Sequence, residues 1–340
     1  MGPAPFLVDQ PEEVTAPFLA SVLDADIDAV AGIERIGTGQ MSRNYRLLLD
    51  GAGPSSIVIK VPADDAATRE LGSGAYTREV HFYAEISRRI PGGVARCHHH
   101  AISDDGTRFL LVLDDLAPAR QGDQITGCSL AEARAALTNL AGIHAALWED
   151  QEVLARPELA RSDSAALTTI FPIALDEFAR RYENRLATDT LDVFEAFRGK
   201  SAAWSENAPG PASLVHGDYR LDNLLFTDST VMAVDWQTVA AGPPARDVAY
   251  FLGNSLLAED RRGHEQALLE HYATGLAALG VDYGGNELRV DYARGAWLGP
   301  LVTVVGSFVA TRTDRGDEMF VAMADRAAAQ LADAGSIDLL

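Results

Sequence analysis

The sequence predicts an α+β fold, with strands in its first third and mainly helices in the remainder. Runs of aliphatic and β-branched residues that are typical of strands occur at residues 33–47, 56–62 and 108–116. From Ser129 onward, apolar residues recur at helical spacing. A chain of 340 residues with 47% hydrophobic residues is long and apolar enough to bury the core of a globular protein with two such parts.

Charge and cysteine content argue against several classes of protein. The formal net charge of −21 disfavours a nucleic-acid-binding protein, because a phosphate backbone requires clustered Lys and Arg. This charge is compatible with a cationic ligand, although solubility is the simpler explanation. The two cysteines, Cys97 and Cys128, make no disulfide framework, and no signal peptide is evident, so a cytoplasmic protein is expected. The longest nearly apolar run, residues 296–310, is too short to predict a membrane span.

The first elements are a helix and a hairpin. Apolar spacing predicts an amphipathic helix that starts near Pro11 and covers the strands. Residues 33–47 then predict a strand, a turn containing Gly37 and Gly39, and a second strand. Glycine lets backbone N–H groups approach phosphate oxygens because it has no Cβ, but the pattern by itself is more typical of a plain hairpin.

Two further elements complete the β-rich part. Residues 56–62 predict a strand with Lys60 near its end, and residues 77–86 have the apolar spacing of a helix. Residues 97–100, Cys-His-His-His, invite a metal-site interpretation. Adjacent side chains on an extended segment point to opposite faces, so a polar strand start is the favoured interpretation.

The motif with the clearest chemistry is His-Gly-Asp-Tyr-Arg-Leu-Asp-Asn at residues 216–223. Short apolar runs follow it on either side of a polar turn, a pattern that predicts a hairpin with Asn223 and Asp235 at the same end. Phosphoryl transfer needs a carboxylate that orients the attacking hydroxyl and oxygen ligands that hold Mg²⁺. Asp218 suits the first role, and Asn223 and Asp235 suit the second.

The helical part contains fewer chemical signals. Ser129 and Glu132 have the spacing of a capping box, and His144 lies on the apolar face of that helix, where a structural role is favoured. Asp247 near a later helix start suits capping. The charged residues 312–318 are more typical of a solvated turn than of a contact with an acceptor.

The HGDxxxxN motif, the hairpin and the following Asp resemble the catalytic loop and metal-binding segment of the aminoglycoside phosphotransferase family. That family includes choline-kinase-like and ecdysteroid-kinase-like small-molecule kinases. The resemblance implies a protein-kinase-like bilobal α+β fold: a mainly β N-lobe at residues 1–115 with one key helix, and a larger helical C-lobe at residues 116–340. Protein kinases carry HRD and DFG where this chain has HGD at residues 216–218 and DWQ at residues 235–237, which favours the small-molecule branch.

In the N-lobe, the resemblance implies a nucleotide site. Lys60 is similar to the strand lysine that neutralises the ATP phosphates, and Glu79 is its expected carboxylate partner, with Glu70 and Glu85 as alternatives. The remaining implied contacts are the nucleotide-covering loop and the backbone that meets adenine, at Gly37, Gly39, Ser42, Asp114 and Leu116.

In the C-lobe, the resemblance makes Asp218 the catalytic residue and Asn223 and Asp235 the metal ligands. His216 is expected to hold the loop in shape, and Asp247 is expected to brace it.

The expected activity is therefore transfer of the γ-phosphate of ATP, with Mg²⁺, to a hydroxyl of a small molecule; GTP is not excluded as the donor. The sequence leaves open the acceptor, which could be an antibiotic, an amino alcohol, a sugar, a sterol-like or a hydroxyacyl compound, and the oligomeric state. Two alternatives are a nucleotide-binding protein without transfer activity and an iron(II) oxygenase that uses His216, Asp218 and either His264 or His271.

Overall fold

The computed structural model describes residues 6–37, 41–160, 164–228 and 230–340. The chain forms two compact units. The first unit consists of Met1–Arg89, Val94–Pro118 and Asp235–Thr238, and the second of Ile90–Gly93, Ala119–Val234 and Val239–Leu340. The sequence places a single boundary between residues 115 and 116, and that division stays a prediction.

The first unit is built on a five-stranded antiparallel sheet with the strand order β1-β2-β3-β5-β4. The strands are β1 (Ile27–Ile36), β2 (Ser42–Gly51), β3 (Ser56–Pro62), β4 (Cys97–Ile102) and β5 (Phe109–Asp114). Gly37 follows β1 with φ of 70°, a left-handed conformation that glycine adopts without strain. The strands predicted from residues 33–47, 56–62 and 108–116 are thus present.

A short helix, α1 (Ala16–Leu23), packs on this sheet. Its buried residue Leu19 joins a core of aliphatic side chains from β2, β3 and β5. The predicted start near Pro11 is wrong, because residues Pro11–Glu13 form a separate 3₁₀ turn. The helix begins after Thr15 with Pro in its first turn, where the fixed φ of proline and its missing N–H carry no cost.

The helix that carries Glu79, α2 (Ala66–His81), starts earlier than the apolar spacing predicts. Asp65 caps it by accepting a hydrogen bond from Thr68 N at 2.8 Å. Apart from the exposed Leu71, its first turns consist of small and polar residues, so they carry no hydrophobic period that could reveal a helix. The chain then continues through a π-helical turn at Phe82–Ile86, and the side chain of Glu79 is buried.

The second unit is mainly helical, with short strands among the helices. Its helices are α3 (Leu130–Ala146), α4 (Gln151–Leu154), α5 (Ser164–Tyr182), α6 (Thr190–Glu195), α7 (Ser201–Glu206), α8 (Ala245–Ser255), α9 (Ala258–Ala278), α10 (Gly285–Gly295), α11 (Leu298–Val309) and α12 (Asp314–Asp333). Its strands are β6 (Arg120–Gln121), β7 (Ser213–Val215), β8 (Leu224–Phe226), β9 (Val231–Ala233) and β10 (Ala240–Gly242). Every residue of α8 is buried, so this helix forms the centre of the unit.

Several local predictions for this unit are confirmed. β8 and β9 form the antiparallel hairpin, in which Leu224 is opposite Ala233. Ser129 and Glu132 form the capping box of α3. Glycine does not interrupt α11, which continues through Gly306 to Val309.

Within the described residues, no helix is both long enough and apolar enough to cross a membrane.

Candidate active site

A buried cluster of opposite charges lies in the first unit, and we call it the lysine site: Lys60, Glu79 and Asp235. The Lys60 ammonium Nζ donates to Glu79 Oε1 at 2.8 Å and lies 2.6 Å from Glu79 Oε2. It also donates to Asp235 Oδ1 at 2.7 Å. The ion pair between Lys60 and Glu79 predicted from the sequence is therefore present, with Asp235 as a second carboxylate.

Burial and the neighbouring charges shift the pKa values of the lysine site. Burial by itself would lower the pKa of Lys60, but the carboxylates of Asp235 and Glu79 outweigh burial and raise the pKa, so the ammonium stays charged. Burial raises the pKa of Glu79. Asp235 is the accessible member of the lysine site, with 31% of the side chain exposed.

The backbone at Asp235 has an unusual conformation. Its φ of 67° lies in the left-handed region, which non-glycine residues rarely adopt and Asp tolerates better than most. The next residue anchors the turn: Trp236 N donates to Glu79 Oε1 at 3.2 Å, and its ring stacks on Phe82 with centroids 4.0 Å apart. Such strain, which costs about 1–3 kcal/mol, persists where the surrounding structure enforces it and is concentrated at functional sites.

The second unit presents the 216–223 loop between β7 and β8. Asp247, buried on α8, accepts hydrogen bonds from His216 N at 2.6 Å and from Gly217 N at 3.0 Å. Gly217 has φ of 79°, so glycine is favoured at this position of the motif. The bracing role implied for Asp247 is confirmed. Its predicted capping role is wrong, since α8 begins without a side-chain cap and both Asp247 oxygens are used by the loop.

Three donors orient the carboxylate of Asp218, which is 16% exposed. Arg220 Nε lies 3.1 Å from Oδ1 and 3.2 Å from Oδ2. Tyr250 donates its hydroxyl to Oδ1 at 2.7 Å, and Asn223 donates its amide Nδ2 to Oδ2 at 2.9 Å. Both oxygens are therefore fixed in direction.

The partners of Asp218 keep their protons. Burial and the adjacent Asp218 raise the pKa of Tyr250 well above its ordinary value, so it is a neutral phenol that donates. Burial would lower the pKa of Arg220, but the charge of Asp218 raises it, so the guanidinium remains a cation.

Asn223 is held from two sides. Its amide nitrogen donates to the backbone oxygen of Asp218 at 2.9 Å as well as to the carboxylate. Its backbone oxygen accepts a hydrogen bond at 3.0 Å from the N–H of Val234, the residue that precedes Asp235. The side-chain amide oxygen remains as the polar atom of Asn223 that could take a cation. An amide oxygen and a carboxylate are ligands that fit Mg²⁺, which in nucleotide sites is also held by the phosphates.

His216 is buried and its Nε2 lies 3.0 Å from Val234 O, which supports its predicted role in shaping the loop. The two histidines of the oxygenase alternative contact other residues. His264 Nδ1 lies 3.0 Å from Asp260 O, and His271 Nε2 lies 2.9 Å from Thr138 Oγ1. Among the described residues, no three His, Cys, Asp or Glu side chains are grouped as metal ligands. The two-histidine, one-carboxylate arrangement of the oxygenase alternative is therefore not formed by these residues.

The other predicted nucleotide contacts fall in three places. Gly37 follows the last residue of β1, Ser42 is buried at the start of β2, and Gly39 lies outside the described residues. Asp114 ends β5, where its N–H donates to Arg96 O at 3.0 Å. That N–H is thereby engaged, while Leu116 follows in a half-buried stretch without regular structure.

Sequence reasoning missed several residues of these sites. Arg220 lies inside the recognised motif, so its charge was a usable signal. Tyr250 on α8 and the buried Gln124 belong to no recognised motif, so the sequence contains no signal for either residue. Gln124 supports the 216–223 loop, since its Oε1 accepts from Leu221 N at 2.8 Å and its Nε2 donates to Asn254 O at 2.8 Å. His144, predicted to be structural, lies 2.7 Å from Tyr272 Oη and 3.4 Å from Asp247 Oδ2.

Comparison with known protein families decides the assignment. Residues 32–284, more than half of the chain, match the model of the phosphotransferase enzyme family. The chain belongs to this family. The matched range contains the lysine site and the 216–223 loop, and family membership makes the protein a small-molecule phosphotransferase, a kinase, as the sequence predicted. No curated protein sequence matches this phosphotransferase at a significant level.

Solved structures show the same fold. The amicoumacin kinase hAmiN in complex with AMP-PNP, Ca²⁺ and Ami has a TM-score of 0.56 and 13% identity, covering 94% of each chain. The choline kinase LicA from Streptococcus pneumoniae has a TM-score of 0.52 and 14% identity, covering 95% of this chain and 99% of that one. APH(2")-IIa in its gentamicin complex has a TM-score of 0.51 and 14% identity, covering 95% and 98%. These likenesses confirm the predicted kinase-like α+β fold.

Proposed function

We propose that this phosphotransferase moves the γ-phosphate of ATP, bound with Mg²⁺, to a hydroxyl group of a small molecule. The observation that carries the proposal is the carboxylate of Asp218, which Arg220, Tyr250 and Asn223 hold in one orientation while 16% of it stays exposed. A carboxylate that is aimed and accessible suits the orientation of an attacking hydroxyl.

In the proposed reaction, Asp218 accepts a hydrogen bond from the hydroxyl of the acceptor. The acceptor oxygen forms a bond to the γ-phosphorus, the bond from that phosphorus to the bridging oxygen of ADP breaks, and the proton of the hydroxyl passes to Asp218. Since phosphoryl transfer has a loose transition state, orientation of the hydroxyl matters more than basicity of the carboxylate. The fixed geometry of Asp218 supports this role.

Lys60 is proposed to neutralise charge on the phosphates. Its ammonium lies beside the Asp235 carboxylate, the exposed member of the lysine site. Asp235 and Asn223 are proposed to hold Mg²⁺, which supplies positive charge to the phosphates when it is bound. The partly exposed carboxylate of Asp235 and the amide oxygen of Asn223 are of the ligand types that Mg²⁺ prefers, which supports dependence on a divalent cation.

The acceptor is proposed to be a small molecule, and the net charge of −21 is compatible with a cationic one.

Cys97 and Cys128 are both free thiols, and burial raises the pKa of each to about 12, so neither is a reactive thiolate at neutral pH. Unpaired cysteines support the proposal that the enzyme works in a reducing compartment such as the cytoplasm.

A screen of nucleotide consumption tests the function. The wild-type chain is incubated with Mg²⁺ and ATP or GTP over aminoglycosides, amino alcohols, sugars and hydroxylated lipids, and Asp218→Ala is the control. We expect release of nucleoside diphosphate together with a phosphorylated acceptor, which mass spectrometry detects, in the wild type alone. Tight binding of AMP-PNP without any phosphorylated product would favour a nucleotide-binding protein that lacks transfer activity.

A further inference from the structure

Four side chains of alternating charge connect the first turn of α12 with Asp218. Arg315 of α12 contacts Asp222 through two hydrogen bonds, from Nη1 to Oδ2 at 3.0 Å and from Nη2 to Oδ1 at 2.9 Å. Asp222 Oδ2 lies 3.2 Å from Arg220 Nη1, and Arg220 Nε lies 3.1 Å from Asp218 Oδ1. All four residues belong to the second unit.

Arg220 is fixed by contacts on both sides of its guanidinium. Its Nε contacts both oxygens of Asp218, while its Nη1 contacts Asp222 and lies 3.1 Å from Met319 Sδ on α12. Because the guanidinium is planar and its donors are rigidly arranged, rotation that improves one of these contacts disturbs the other. The position of Asp222 therefore determines how Arg220 holds Asp218.

Asp222 in turn depends on Arg315. Its Oδ1 also accepts from Gln124 N at 3.0 Å, so Arg315 and one backbone N–H oppose the pull of Arg220. Arg315 is the exposed member of the series, with 47% of its side chain exposed, whereas the other three side chains are between 12% and 19% exposed.

We propose that Arg315 is a positioning residue that orients Asp218 through Asp222 and Arg220. This inference rests on the proposed function, since it assumes that Asp218 orients the acceptor hydroxyl. Without Arg315, only the Gln124 N–H opposes the attraction between Asp222 and Arg220, and Asp222 draws the guanidinium of Arg220 away from Asp218. Asp218 then loses one of its three donors and its fixed direction.

This arrangement assigns a role within the charged segment at residues 312–318. Asp317 is occupied by its neighbours, since it accepts from Tyr182 Oη at 2.7 Å and from Arg312 Nε at 2.7 Å. Arg315 instead contacts the 216–223 loop through Asp222. Within this segment, Arg312 is thus part of a solvated turn, whereas Arg315 supports the 216–223 loop.

The test compares Arg315→Met with a matched control, Arg180→Met. Arg180 lies on α5, is 71% exposed and makes a similar pair of hydrogen bonds with Glu177, at 2.8 and 2.6 Å. The first readout is the Nε–Hε resonance of Arg220 in a ¹⁵N spectrum of the full chain, assigned by its loss in Arg220→Lys. The second is kcat and KM for Mg-ATP with water, or with the best acceptor of the screen.

In Arg315→Met we expect the Arg220 resonance to shift or broaden, and kcat to fall about five- to tenfold with KM for ATP within about twofold. Arg315→Lys should recover part of kcat, because it restores the charge but not the paired hydrogen bonds. Arg180→Met should leave the resonance and both kinetic constants at wild-type values.

An Arg220 resonance and a kcat that are both unchanged in Arg315→Met would overturn the inference, as would equal changes in Arg180→Met. The proposed function fails separately: full turnover by Asp218→Asn would overturn it and the inference together. Loss of turnover in Asp218→Asn with an unmoved Arg220 resonance in Arg315→Met would overturn the inference alone.

Discussion

Tyr250 donates its hydroxyl to Asp218 Oδ1 at 2.7 Å, although 32 residues separate the two in the chain. Tyr250 is fully buried on α8, and the same helix supplies Asp247, which holds the backbone of the 216–223 loop. One buried helix therefore fixes both the loop and the carboxylate proposed to act in catalysis. Since burial raises the pKa of Tyr250, the contact persists at and above neutral pH.

Replacement of Tyr250 by Phe should lower kcat and leave KM for Mg-ATP nearly unchanged. The change removes one hydrogen bond to a charged acceptor, worth about 1.5–3 kcal/mol, so a fall of about tenfold or more is expected. Steady-state kinetics measures both constants. The matched control is Tyr272→Phe, since Tyr272 is also buried but its hydroxyl lies 2.7 Å from His144 Nδ1 rather than near Asp218. Equal losses in both variants would contradict the assignment.

Replacement of Asp218 by Ala should abolish phosphoryl transfer and retain nucleotide binding. The side chain is proposed to contact the acceptor hydroxyl, so its loss removes the orientation of the nucleophile, an effect of about a hundredfold or more. Titration calorimetry with AMP-PNP and Mg²⁺ should give an affinity within about threefold of the wild type. Transfer near the wild-type rate would show that Asp218 is not the catalytic residue.

Replacement of Asp235 by Ala should weaken binding of the Mg²⁺–nucleotide complex. Asp235 is the accessible carboxylate of the lysine site, so its loss removes a proposed metal ligand and frees one contact of Lys60. Calorimetric titration of AMP-PNP with and without Mg²⁺ separates the two effects. We expect the gain in affinity that Mg²⁺ gives the wild type to disappear in the variant. An undiminished gain would place the metal elsewhere.

Lys60 and Glu79 should stabilise the fold as a pair rather than singly. Both are buried, so Lys60→Met leaves the Glu79 carboxylate without its cation, which costs about 3–5 kcal/mol for a buried ion pair. Glu79→Gln should cost less, because Lys60 keeps its contact with Asp235. The double variant should recover part of the lost free energy of unfolding, measured by urea titration. Purely additive losses would show that the two side chains do not interact energetically.

Asp115 should make the stability of the protein depend on pH. Burial raises the pKa of its carboxyl, but hydrogen bonds from Arg46 and Ser56 at 2.6 and 2.7 Å outweigh burial and lower it below 3.8. The pKa of Asp115 is therefore lower in the folded protein than in the unfolded chain. The stability that its carboxylate contributes is fully present above the pKa of the unfolded chain and is lost as pH falls through the pKa of the folded protein. Asp115→Asn should therefore have a lower Tm than the wild type at pH 7, and the difference should shrink below about pH 4.

Thermal unfolding of both chains between pH 3 and 7 measures this dependence. The substitution keeps the size of the side chain and removes its charge. A difference in Tm that stays constant over the whole range would show that the Asp115 carboxylate contributes nothing through its ionisation.

The sequence by itself determined the features that depend on short spacing. The hairpin after Asn223, the capping box at Ser129 and the strand that carries Lys60 follow from local periodicity and turn chemistry. The pairing of Lys60 with Glu79, which the family pattern implies, spans only 19 residues between adjacent elements. The start of α2 was missed because its first turns are, apart from Leu71, small and polar and bear no hydrophobic period.

Tertiary structure alone decided which distant side chains meet. Tyr250 contacts Asp218 across 32 residues, Arg315 contacts Asp222 across 93, and Arg46 contacts Asp115 across 69. The local sequence around Tyr250, Arg315 and Arg46 is explained by whether each position is buried or exposed. It therefore contains no pattern that would predict the distant residue that each side chain contacts. The sequence names the groups needed for phosphoryl transfer, including Arg220 and Asn223, which lie within five residues of Asp218. Packing of α8 onto the 216–223 loop adds the distant donor Tyr250, and the direction of the Asp218 carboxylate is fixed only when all three donors surround it.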